Sequence, residues 1–596
     1  MKIDRVHIKG FRSLGDVNVK LTNYSSLIGK NDGGKSSFLY ALNFLFDPNT
    51  NPSETDICKI DGYFNEVFIQ ANLTECSGHE DLAVNGEIKV RRIFEDLKWR
   101  WEVFGLVPSN EIIKKILTGA LNRTEWNAAA DVSDAIKTLV NRILNEITPS
   151  GRIPPATWSE VISGLSDANL IEWETGWKLL DKERLCSLVT VVMLEADMRC
   201  EEELTDGTKS VFSKVGGLLL REATKGHSEM TDAIQELTDV IGRVATADED
   251  GTWIIPEVNN FNRIMQEEIS RFDGSVSALS TLVPPKIPAL EFSVKIEISD
   301  QWVQGVGKMG HGLRRSVVFA MLRAHRRLRQ EDPIPEIDNT PLQIPLYLFL
   351  LEEPELYLHP QAEQRRMLEL QELADINHTQ VILCTHSANF VDLRKYQGIL
   401  RFERRNRNIT EVRSWIGEGL TDDSEKLLKM AYKLDVNRSA MLFADQVILV
   451  EGQTEKTMLP MLAKKLDCYA PDVEIVDCGG NQGIHTFQRL LEGFGIRYVA
   501  WMDRDISNDT NNASQVACGK VHRAMSSEFG KMIIVPEDWE SMTGVPGSNK
   551  PYNSWQFFVV DESEINDLSA EKVRAAFSWS SHGDEEFSNT VIVLAS

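Results

Sequence analysis

The sequence predicts an α/β protein with two parallel-sheet regions, and three observations predict it. A strand-like Ser26-Leu27-Ile28 runs into a glycine-rich loop and then into a helix-like stretch, Ser37–Leu42. The apolar runs Leu346–Leu351, Val447–Val450 and Val499–Met502 each end in carboxylates. Continuous apolar runs of that length suit strands buried on both faces, and open parallel sheets present their ligands at the strands' carboxyl ends. Between these regions, residues 106–275 read as mainly helical, with periodic apolar positions such as Ile112-Ile113 and Ile116-Leu117.

The first loop, Gly29-Lys-Asn-Asp-Gly33-Gly34-Lys35-Ser36, fits the G-x-x-x-x-G-K-S pattern without a gap, in the strand–loop–helix setting that the motif requires. Its backbone N–H groups and the following helix N-terminus suit phosphate, so Gly29, Asn31, Gly33, Gly34, Lys35, Ser36 and Ser37 are candidate ATP-binding residues. Lys35 is expected to pair with the phosphates and the Ser36 hydroxyl to ligate Mg²⁺. Upstream, Ile3–Ile8 alternates as a strand does and leads into Gly10-Phe11-Arg12-Ser13.

In the last third, Glu451 and Asp503 follow apolar runs, Asp505 shares a strand face with Asp503, and Glu455 shares a helix face with Glu451. Four carboxylates gathered in one crevice repel unless a divalent cation lies between them. Oxygen-only donors suit Mg²⁺ or Mn²⁺. Taken alone, the Asp-x-Asp pair also fits a surface turn and Glu451 a helix cap.

Composition sets the bounds. The length favours about three or four domains. No run approaches a membrane span, the start has no signal-peptide pattern, and eight scattered cysteines without a Cys-x-x-Cys pair point to a reducing cytoplasm. A net charge of −25 confines any DNA contact to local basic tracks. The candidates are Lys89–Trp101 and Arg401–Arg407, although such alternation is more often the two sides of a solvated β-hairpin.

The front half resembles ABC-type ATPase heads of the structural-maintenance and recombination-mediator kind. On that resemblance, Glu352 orders Mg²⁺, Glu353 polarises the attacking water, and His386 senses the γ-phosphate. Leu356–Pro360 becomes a dimer-contact loop. Gly310 and Gly312 stand where the head's signature belongs, in a loose match that lets one head touch the nucleotide of another. The long coiled coil of such heads is replaced by the helical stretch, expected to dimerise.

Glu451 with the later Asp503-Arg-Asp505 resembles a Toprim domain, and the whole order of motifs resembles the OLD (overcoming lysogenization defect) nucleases. That family implies metal-dependent DNA cleavage, homodimers or larger assemblies, and a place in phage defence, in some members beside a helicase or a reverse transcriptase. It implies that Glu451, Glu455, Asp503 and Asp505 hold metal, that Glu540 adds a third acidic position, and that Lys550, or else Lys572, stabilises the pentavalent phosphate. The expected domains are 1–105 and 276–435 for the two lobes of the head, 106–275 for the insert and 436–596 for Toprim. An ATPase clamp that binds DNA without cutting it is the alternative. Topoisomerase or primase action would require a DNA-gate tyrosine domain or a zinc module, for which the chain has no room. Whether ATP drives, licenses or restrains cleavage stays open.

Overall fold

The computed structural model describes residues 1–50, 52–58, 67–95, 98–117, 121, 123–128, 132–147, 153, 155–168, 170–196, 297–300, 302–305, 345–405, 409–415, 436–504, 513–535, 538–546 and 550–578. The chain divides into one compact unit, Met1–Ala196 with Pro341–Ser596, and a second, Asp197–Thr340. Of the second unit the described part is an antiparallel pair, β9 (Glu297–Asp300) and β10 (Trp302–Gly305).

The first unit opens with a six-stranded antiparallel sheet. Its strands are β1 (Lys2–Phe11), β2 (Leu14–Lys20), β4 (Val67–Thr74), β5 (Ile88–Glu95), β6 (Lys98–Pro108) and β7 (Trp173–Leu179), in the order β2-β1-β4-β5-β6-β7. Alternation in β1 and β4 sends Val6, Ile8, Ile69 and Ala71 into the core.

A second six-stranded sheet lines up as β14-β13-β3-β12-β11-β8, from β3 (Tyr24–Gly29), β8 (Val189–Leu194), β11 (Leu346–Glu352), β12 (Thr379–Cys384), β13 (Ile399–Arg405) and β14 (Ile409–Ser414). All pairs are parallel except the β13–β14 hairpin. Helix α1 (Lys35–Phe46) shares one apolar core with strands of both sheets, through Phe38, Leu39, Leu42 and Leu45. The buried runs on β8, β11 and β12 show why these segments lack alternation: a central parallel strand is covered on both faces.

Within the expected insert, helices α2 (Glu111–Leu117), α3 (Arg123–Ala128), α4 (Asp134–Ile147) and α5 (Pro155–Asp167) enclose their own core around Trp126, Val140, Trp158 and Val161. The expected boundary at 106 falls inside β6, and β7 and β8 are strands of the two sheets, joined by α6 (Lys182–Leu188). Pairing with β6 draws β7 out of the helical group, while pairing with β11 makes β8 the strand returning to the head that Val191–Leu194 suggests in the sequence.

The C-terminal sheet is wholly parallel, in the order β16-β15-β17-β18 from β15 (Gln446–Val450), β16 (Val473–Asp477), β17 (Arg497–Asp503) and β18 (Gly530–Val535). Helices α8 (Gln453–Lys465), α9 (Asn481–Gly493) and α10 (Ala513–Ala524) connect the strands, and α7 (Pro360–Ala374) plays that part between β11 and β12. Helices α11 (Trp539–Thr543), α12 (Lys550–Trp555) and α13 (Asp567–Phe577) follow the last strand. This sheet has a separate core, around Ile448, Val499, Trp501 and Trp539. Among the described residues, no helix is long and apolar enough to cross a membrane.

Candidate nucleotide pocket and carboxylate site

The glycine-rich loop takes its shape from its neighbours. Gly29 has φ +134°, and a Cβ there would lie 2.1 Å from the Phe402 carbonyl oxygen of β13. Gly34, at φ +101°, would clash with Thr410 Oγ1 at 2.4 Å. Only glycine fits either backbone. Thr410 Oγ1 lies 3.0 Å from the Gly33 carbonyl oxygen and 2.9 Å from Ser13 Oγ, pinning the loop to the β13–β14 hairpin. Lys35 Nζ donates to the Gly29 and Lys30 carbonyls at 2.8 and 2.9 Å, and burial holds its ammonium below the ordinary lysine range.

Ser36 Oγ donates a short hydrogen bond to Glu352, whose other oxygen accepts from the Ala196 N–H at 3.2 Å. A hydroxyl and a carboxylate brought together at the mouth of a phosphate loop suit Mg²⁺. Glu353 has φ +45°, a strained value for a residue with a side chain. Its carboxylate stands 3.9 Å from His386 Nε2. Glu355 is raised above the ordinary carboxylate range, chiefly by burial, and its Oε1 accepts from the His386 N–H at 2.7 Å. Burial, and after it Lys35, lowers the His386 imidazole below the usual histidine range. At the end of β12, burial pushes the Cys384 thiol up to about 12.

One pocket thus gathers Asn31, Gly33, Gly34, Lys35, Ser36 and Ser37 with Glu353 and His386. It also contains Ser13 and Arg404, which motif reading did not single out for nucleotide. Ser13 sits just past β1, and Arg404 lies in the basic run 401–407, so both were visible, but only as residues of other patterns. Gly310 and Gly312 lie outside the described residues. In the loop Leu356–Pro360, Tyr357 is 66% exposed.

Three arginines of the basic tracks serve the fold. Arg92 is buried, stacks over Trp101 at 4.1 Å and donates to the Phe44 and Thr50 carbonyls. Arg91 pairs with Glu102 at 2.7 Å and stacks over Trp177. Arg401 is buried and pairs with Glu403 at 3.3 Å. The hairpin reading accounts for these arginines.

The second site lies at the carboxyl edge of the C-terminal sheet. The chain leaves β15, adds β16 on one side and returns to add β17 on the other, so the ends of β15 and β17 flank a topological switch point. Glu451 directly follows β15 and Asp503 ends β17, and Glu451 Oε1 accepts from the Asp503 N–H at 3.1 Å. Glu455 is buried in the first turn of α8 and its Oε2 accepts from the Gly452 N–H at 3.1 Å, a capping contact. Asp477, at the end of β16, is a further acidic residue on this edge that motif reading passed over. It is buried and accepts from Gln453 Nε2 at 2.5 Å and the Gly479 N–H at 2.8 Å. The Gly480 N–H donates to the Glu451 carbonyl at 2.7 Å, so the Gly479-Gly480 turn braces this loop.

Glu540 is in the first turn of α11, which Asp538 caps. Lys550 begins α12, its side chain outside the described residues, as is Asp505. Lys572 is buried, its Nζ donating to the Ile534 carbonyl at 2.7 Å, and burial lowers its ammonium below the ordinary range. Among the described residues, no three His, Cys, Asp or Glu side chains are grouped to enclose a metal. Glu451 and Asp503 offer an oxygen-only pair, which fits a hard divalent cation.

The pattern of the AAA ATPase domain family matches residues 1–152 and 157–391, and that of the OLD-like Toprim domain (overcoming lysogenization defect protein-like) matches residues 442–505. Among curated relatives, an OLD nuclease of Thermus scotoductus is 27% identical over 290 residues, 45% of this chain and 51% of that protein. The chain therefore spans about half the length of that relative. The Old nuclease of Escherichia phage P2 is 22% identical over 85% of this chain and 77% of its own. Endonuclease GajA of Bacillus cereus VD045 is 22% identical over 85% of this chain and 76% of its own. The P-loop and its acidic partners in one sheet, and the carboxylates at the edge of another, agree with both matches: the chain belongs to the AAA ATPase domain family and carries an OLD-like Toprim domain behind the ATPase region.

Proposed function

We propose that this chain is an ATP-controlled, divalent-metal-dependent DNA endonuclease that acts in defence against phage. The observation that carries the reading is the Glu451–Asp503 contact at the switch point of the Toprim sheet, on the same chain as a P-loop whose Ser36 meets Glu352. Two relatives named nucleases align with 85% of this chain.

In the ATPase pocket, Lys35 and the Gly33–Ser36 backbone hold phosphate, Ser36 and Glu352 would hold Mg²⁺, and Glu353 orients the attacking water. His386 lies close enough to that carboxylate to respond to the terminal phosphate. In the Toprim site, Glu451, Asp503 and Asp505 would hold Mg²⁺ or Mn²⁺, with Glu455 and Glu540 supporting the acidic edge. A bound cation there supplies charge to the in-line displacement at phosphorus. Lys550, at the start of α12, is the residue assigned to stabilise the pentavalent phosphate. The chain works as a homodimer or larger homo-oligomer, with Gly310 and Gly312 of one copy facing the nucleotide of another and the exposed Tyr357 loop at the contact.

The test is plasmid cleavage with Mg²⁺ or Mn²⁺, with and without ATP, for the wild type and Asp503→Ala/Asp505→Ala. Metal-dependent nicking or linearisation that disappears in the double variant supports the reading, and the ATP lanes give the sign of its control. Equal cleavage by both proteins refutes the site.

A further inference from the structure

Strand β13 has two working faces. On one, Phe402 packs against Phe38 of α1, with ring centroids 5.5 Å apart. Arg404 is two residues further along, so it projects to the same side, and it lines the pocket beside the phosphate loop. Its partner across the hairpin is Thr410, the residue that bonds Ser13 and the Gly33 carbonyl. Arg404 is exposed, and among the described residues its guanidinium pairs with no carboxylate. A planar cation with several donors at the mouth of a phosphate pocket suits the oxygens of a nucleoside triphosphate.

On the opposite face, Arg401 is buried and its Nη1 donates to the Phe494 carbonyl at 3.5 Å. Its cross-strand partner Arg413 packs against Gly495, where a Cβ would lie 2.7 Å from its side chain, and stacks over Phe529 at 5.4 Å. Trp415 likewise leaves no room for a Cβ at Gly493, at 2.6 Å. Two arginines and a tryptophan therefore grip the C-terminal end of α9, where the helix dipole is negative, just before β17 begins. Strand β17 carries Asp503 at its far end.

We propose that Arg404 contacts bound nucleotide and that β13 is the mechanical link from the nucleotide pocket to the Toprim domain. The proposal deepens the reading of an ATP-controlled enzyme and rests on it for its biological meaning, but its test involves no cleavage. Binding of a fluorescent non-hydrolysable ATP analogue is measured on the full chain for the wild type, Arg404→Ala and Arg404→Lys. Thermal melting checks that each variant folds. Losing one charged contact weakens binding by about tenfold or more. Arg404→Lys keeps the charge and recovers part of the affinity. Wild-type affinity in Arg404→Ala overturns the contact.

Hydrogen exchange then tests the link. In the wild type, saturating analogue changes the protection of the segment 493–498, and in Arg404→Ala at saturation the change is absent or much reduced. An identical change in both proteins, or none in the wild type, overturns the link. A failure of the plasmid assay would refute the nuclease reading and leave both of these measurements decisive.

Discussion

Lys30 of the phosphate loop is ion-paired with Asp445, Nζ to carboxylate 2.6 Å, one residue before the first strand of the Toprim sheet. Lys35, five residues on, points the other way, into the pocket. The two lysines of one loop therefore have separate duties. Lys30→Ala retains ATP turnover and, because the pair is largely exposed, changes stability by less than about 1 kcal/mol. Lys35→Ala loses turnover by about 100-fold or more, in line with removing a charged donor from a phosphoryl-transfer site. Steady-state phosphate release with a melting curve for each variant checks both, and comparable ATPase losses would refute the division.

Gly29→Ala is expected to damage the loop itself. Its Cβ would meet the Phe402 carbonyl, a backbone atom fixed by pairing between β3 and β13, and the φ value is one that alanine resists. A cost of about 1–3 kcal/mol follows from overpacking of this kind. Denaturant unfolding measures it. An unchanged midpoint would mean that the hairpin yields more easily than its pairing implies.

The two candidate lysines of the Toprim site separate on stability against activity. Lys572→Met leaves the half-buried Ile534 carbonyl without its donor and costs about 1–3 kcal/mol. Lys550→Ala is expected to leave melting unchanged and to abolish plasmid cleavage. Full cleavage by Lys550→Ala removes that residue from the site.

The acid limb of ATP hydrolysis is predicted to lie low. Burial first and Lys35 second hold the His386 pKa below 6.5, against the opposite pull of Glu353. A depressed histidine stays neutral in the folded chain. Its contribution to stability is complete above 6.5 and is lost as the pH falls through the lower folded value. If neutral His386 is required, kcat/KM for ATP stays level as the pH falls to 6.5 and declines below it, while His386→Gln flattens that limb. A profile from about pH 5 to 8 tests this. A limb at or above 6.5 would contradict it.

What could be read from the sequence was local. The phosphate loop, Glu352-Glu353 and the acidic ends of β15 and β17 are written in contiguous residues whose spacing carries their chemistry. Pairing between distant segments was harder to read. Trp173–Leu179 lies in a half-exposed edge strand without strong alternation, so its place beside β6 depends on backbone bonds that composition does not show. Arg404 and Ser13 enter the nucleotide pocket only because β13 pairs with β3 and Thr410 bonds back to the loop. Asp477 was hidden differently: it ends a strand alone, with no second carboxylate to make a motif. The alternation around Arg91 and Arg92 reads as a hairpin, but the sequence lists charges and not the carbonyls, carboxylates and rings that absorb them.

The strand order also says when each part can assemble. The sheet that holds the phosphate loop draws its strands from Tyr24–Gly29, Val189–Leu194, Leu346–Glu352, Thr379–Cys384, Ile399–Arg405 and Ile409–Ser414. On the ribosome, Gly29 must therefore wait for a strand more than 350 residues behind it before its loop can close. The Toprim sheet takes all four strands from one uninterrupted stretch, Gln446–Val535, around a core of its own. Long loops closed late slow folding, and short ones close soon after synthesis. By the time Asp503 reaches Glu451, β13 has already been made, so a newborn chain has the means to seal its nucleotide pocket before its acidic site takes shape.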